Sequence, residues 1–165
     1  MGPAALSTRP ANSAFNFIGV GAGQPFYLLP PSINPELLFF GIGTEEIDPG
    51  TFLGGTASLR LKGVNGPGQF SIFTTPGGAP TVFMSTSDGI TGADFITVLE
   101  AGHAHVDWAF SAKGRYEITF EAVATLADGD MVASGDITYY FSVDHIGATQ
   151  LANSSFSVNE SGVAT

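Results

Sequence analysis

The feature that most constrains this chain is period-two alternation, in short runs cut by Gly and Pro. In residues 115–126, RYEITFEAVATL, one side carries Tyr116, Ile118, Phe120, Ala122 and Ala124, and the other Glu117, Thr119 and Glu121. Successive strand side chains point to opposite faces, so this run reads as a strand with one face buried. ADGD turns the chain, and GDITYYFSV returns with Ile137, Tyr139, Phe141 and Val143 on one face. TASLRLKGV sets Ala57, Leu59 and Leu61 against Ser58, Arg60 and Lys62. QFSIFTT, TVFMST and DFITVL continue the pattern between the turns NGPG, PGGAP and SDG. About eight to ten short strands at this spacing predict an all-β fold: an antiparallel β-sandwich of the Ig-like, Greek-key type, with little or no helix.

Upstream the pattern is less regular. AFNFIGVGAGQPFYLLPP reads as a short strand, a Gly-rich turn and a second extended piece. Pro25 follows GVGAG almost at once, so no helix N-terminus opens there to hold a phosphate. The apolar run from Leu37 to Ile42 reads as a buried strand, and EEIDPG as a turn. Residues 1–13 read as an arm or linker and 14–144 as the sandwich. Residues 145–165, rich in Ser, Asn and Ala, read as a tail or a linker to an anchor.

Composition narrows the partners. The net charge is −10 with five basic residues, so no basic footprint for nucleic acid exists, and an anionic membrane surface would repel the chain. Cations, neutral molecules and protein surfaces remain. Absence of cysteine removes disulfides, Cys-zinc sites and thiol nucleophiles. No run is long enough to span a bilayer, and MGPAALSTRP lacks the apolar core of a signal peptide, so direct membrane insertion is not expected. Low charge, 12% of residues, with abundant Gly, Ser, Thr, Ala and Asn suits an extracellular or cell-surface protein.

Chemistry concentrates in AGHAHVDWAF, residues 101–110, which holds two of the three histidines and the single tryptophan. On a strand, His103, His105 and Asp107 share one face, and Ala104, Val106, Trp108 and Phe110 form the core face. Same-face neighbours lie about 6.5–7 Å apart, close enough for two imidazoles to converge on one ion. Neutral imidazole suits zinc, copper or another divalent metal, and Asp107 would add charge compensation. His145 is a further ligand if the chain brings it near. The competing reading is a polar outer face. No catalytic constellation is visible, so a non-enzymatic role is expected. The alternatives are a structural subunit of a surface layer or filament, a homo-oligomer joined through strand edges and termini, and a sugar-binding sandwich using Tyr27 and Tyr140.

GHAHVDWAFSAKGRYEITFEAVATL followed by SGDITYYFSV, with GPGQFSIF, MSTSDG and residues 17–52 upstream, resembles a bacterial surface-anchored domain family. That family comprises the choice-of-anchor M proteins and actinobacterial wall-anchored repeats, with a His-x-His, Trp-x-Phe, Gly-x-Tyr pattern. The resemblance covers about residues 9 to 144. It implies an exported β-rich protein held at the cell surface, with metal capture as a role and no enzymatic activity. It assigns His103 and His105 to the family histidines, and Trp108, Phe110, Gly114 and Tyr116 to structural positions. Relatives carry a further upstream His-rich segment and a C-terminal anchor, so a processed, truncated or short form is expected.

Overall fold

In a computed structural model, residues 2–143 are described. Twelve strands lie among them: β1 (Leu6–Thr8), β2 (Pro25–Leu29), β3 (Ile42–Gly43), β4 (Phe52–Asn65), β5 (Phe70–Thr74), β6 (Thr81–Ser85), β7 (Phe95–Leu99), β8 (His103–Ala104), β9 (Asp107–Phe110), β10 (Gly114–Leu126), β11 (Met131–Ala133) and β12 (Ile137–Val143). One sheet has the order β1-β2-β9-β5-β6. The other runs β7-β4-β10, with β11 and β12 both pairing β10. A two-stranded ribbon, β3-β8, stands apart. Every pairing is antiparallel, and the fold is an all-β sandwich.

The core lies between the sheets because alternation gives each one an apolar face. Phe70, Ile72, Trp108 and Phe110 come from one sheet, and Leu61, Ile96, Tyr116, Ile118 and Phe120 from the other. Trp108 packs edge-on to Phe40 at 4.8 Å and to Phe120 at 5.9 Å. Fully burying one large apolar side chain contributes about 1.5–3 kcal/mol, so this ring cluster dominates the hydrophobic term. The expected faces of β10 and β12 form, with Tyr116 opposite Phe141 and Ile118 opposite Tyr139; they are buried at Tyr116, Ile118, Phe120 and Val143 and exposed at Ala122, Ile137 and Tyr139. The return is less direct than a simple hairpin. β11 pairs the far half of β10 first, and β12 then pairs the near half.

Three upstream expectations change. Residues 1–13 were expected as an arm, but Leu6–Thr8 is the edge strand beside β2, and Ala5 and Arg9 are buried. Arg9 is held by hydrogen bonds to the Phe15 carbonyl (3.1 Å) and the Asn16 side chain. The first half of AFNFIGVG is a 3₁₀ helix, Ser13–Ile18, not a strand. Asn12 caps it by accepting from the Ala14 N–H at 2.9 Å, and Gly19 ends it at φ 84°. Phe15 and Ile18, three apart, share one face of such a helix, and both are buried. They cover the outer side of the first sheet with Phe26, Phe73 and Ala109, a second small core. The run Leu37 to Ile42 contributes only β3 to regular structure. Leu37 and Phe40 lean on the main core, while Leu38 and Phe39 are exposed.

Candidate functional site

The strand expected through residues 103–110 is broken in two. After β7, a tight turn with Ala101 at φ 50° sends β8 to pair with β3, placing His103 opposite Gly43. Thr44 fastens the ribbon: its N–H donates to the Gly102 carbonyl at 2.8 Å, and its hydroxyl accepts from the Gly102 N–H at 3.0 Å. The chain then changes partner. β9 inserts between β2 and β5, with Asp107 opposite Phe73.

The histidines come together on the ribbon. Their rings stack at 4.4 Å with 26° between planes, and Phe39 stacks on His105 at 3.8 Å and 20°. The His103 Nδ1 pairs with the Glu45 carboxylate, and the His105 Nδ1 faces the Phe40 carbonyl at 3.1 Å. A carbonyl only accepts, so the His105 Nδ1 carries its proton, and in the neutral ring Nε2 is the free lone pair. A carboxylate on Nδ1 selects the same tautomer of His103. Gly41 makes room for both rings. A Cβ there would lie 2.7 Å from the His103 Nε2 and 2.8 Å from the His105 Cε1. The Glu45 carboxyl is held below its ordinary range, first by its own backbone N–H and then by His103.

Asp107 does not join them. Of the expected core face, Val106, Trp108 and Phe110 are buried, while Ala104 lies on the ribbon opposite Ile42 and is half-buried. Asp107 and Ala109 therefore point to the outer side of the first sheet, under the Ser13–Ile18 helix. Because the strand breaks at the ribbon, the shared face with His103 and His105 does not form. Among the described residues no group of three or more His, Asp or Glu side chains is placed to hold a metal ion. Asp107 is 5% exposed, and burial pushes its carboxyl up to about 6, opposed by a hydrogen bond with the Thr75 side chain. His145 lies outside the described residues. Glu45 was missed because EEID reads as turn residues. Only the β3-β8 pairing brings it to His103, and no local signal announces that.

Of the two tyrosines, Tyr27 is half-buried against the core and Tyr140 is 77% exposed. No helix among the described residues is long and apolar enough to cross a membrane.

The fold defines the class, an antiparallel β-sandwich carrying a histidine ribbon at one edge. No protein-family model, curated protein or solved structure matches the chain, so the resemblance to the choice-of-anchor M type rests on its motif residues alone. Trp108, Phe110 and Tyr116 are core, and Gly114 sits at φ 138°. The Tyr116 hydroxyl donates to the Ala112 carbonyl at 2.9 Å.

Proposed function

We propose that the chain is an extracellular, surface-associated binding module that takes a transition-metal ion, zinc first, on the Nε2 atoms of His103 and His105. The observation that carries this reading is the engagement of both Nδ1 atoms, one by a carboxylate and one by a backbone carbonyl. Ligating histidines characteristically place the other ring nitrogen on such a partner, which fixes tautomer and orientation and raises basicity. Glu45 thus takes the charge-compensating role that the sequence suggested for Asp107. Gly41 has no side chain, so its backbone can lie against both rings, where a Cβ would come within 2.7 Å of the His103 Nε2. Two imidazoles leave two positions of a tetrahedral zinc open, which suits reversible capture better than a closed structural site. A net charge of −10 concentrates cations around the chain.

The test is metal content after loading and dialysis, on protein without a His-tag and on a His103→Ala/His105→Ala variant. Near-stoichiometric zinc or copper that disappears in the folded variant is expected. No uptake by the native chain overturns the reading.

The second reading, a structural subunit assembled through strand edges, is favoured by apolar exposure on the second sheet. Leu99 is 69% exposed, Met131 85% and Leu53 60%. A strict monomer by size-exclusion mass at all concentrations counts against it.

A further inference from the structure

We propose that the cleft over Asp107 is a separate binding site for a small primary amine, carrying its charge as ammonium and an apolar body beside it. The cleft holds about 270 Å³ and opens on the outer side of the first sheet, away from its packed core. Asp107 lies in its lining, 5% exposed. Phe15, Phe26 and Phe73 supply apolar walls, and Ser7, Thr8 and Thr75 supply hydroxyls.

The charge balance points to a cation. Removing a carboxylate from water is costly unless a positive partner meets it, and among the described residues no basic side chain forms an ion pair with Asp107. Arg9 is close in sequence to the cleft-lining Thr8, but its guanidinium is committed to the Phe15 carbonyl and the Asn16 side chain. An ammonium would pair with the carboxylate and donate to the neighbouring hydroxyls. The aromatic walls accept the apolar body. A hard divalent ion fits poorly, because it needs six or so oxygen ligands and the lining offers one carboxylate. The volume is just under the ~300–1,000 Å³ usual for small-molecule sites, which restricts the occupant to a short amine. This site shares no residue with the histidine ribbon.

Calorimetric titration at neutral pH with 2-phenylethylammonium, beside its neutral isostere 2-phenylethanol, tests the proposal. Saturable binding of the ammonium is expected, with amide shifts centred on Ser7, Thr75 and Asp107. The alcohol should bind at least tenfold more weakly, and Asp107→Asn should lose at least tenfold in amine affinity. The His103→Ala/His105→Ala variant should bind the amine unchanged, which separates this site from the proposed metal site. Absent amine binding, equal binding of the alcohol, or unchanged affinity in folded Asp107→Asn overturns the proposal. Should Asp107→Asn not fold, the ratio of ammonium to alcohol affinity on the native chain decides.

Discussion

Replacing Asp107 by Asn should stabilise the fold at neutral pH, and the gain should vanish in acid. Burial raises the Asp107 carboxyl from 3.8 to about 6. Between these values the folded chain binds more protons than the unfolded one. Stability contributed by the protonated carboxyl is therefore present at low pH and is lost as pH rises through about 6. A shift of roughly two units at ~1.4 kcal/mol each makes the full loss about 3 kcal/mol, of which about 2 kcal/mol falls between about pH 4.5 and 7.5. Asparagine keeps the shape and carries no charge, so it escapes this loss. Urea unfolding of both proteins across that range isolates the residue, because every other carboxylate titrates alike in the pair. The difference should grow with pH and level off above about pH 7. A difference that stays flat, or one that grows towards acid, refutes the argument that desolvation without a cation dominates at Asp107.

Two further substitutions probe the ribbon and the core. Gly41→Ala places a methyl group 2.7 Å from the His103 Nε2, so the rings must move while the core stays intact. Zinc affinity by calorimetry should fall at least tenfold with unfolding free energy changed by less than about 1 kcal/mol, and unaltered affinity would refute the ribbon geometry. Tyr116→Phe removes the 2.9 Å bond to the Ala112 carbonyl. Denaturant unfolding should show a loss of about 1 kcal/mol, whereas an unchanged midpoint would mean that the hydroxyl adds nothing beyond packing.

Much of the sandwich was legible because strand burial has period two. The buried positions Ala57 and Leu61 of β4, Tyr116, Ile118 and Phe120 of β10 and Val143 of β12 can be read without knowing which strands pair. Glycine and proline punctuation located the turns. The Ser13–Ile18 helix was hidden, since Phe15 and Phe17 alternate as in a strand, whereas the buried pair is Phe15 and Ile18, three apart. Only the apolar outer side of the first sheet calls for a short helix to cover it. The site shows the same division more sharply. Sequence determined that His103 and His105 would be neighbours and that Val106, Trp108 and Phe110 would enter the core. Tertiary structure decided their company. Alternation predicts a shared face only while one strand continues, and here the chain leaves the β3-β8 ribbon to enter the first sheet between β2 and β5. That exchange of partners gives His103 the Glu45 carboxylate, and it turns Asp107 to the outer side of the first sheet, where the Thr75 side chain is its hydrogen-bond partner.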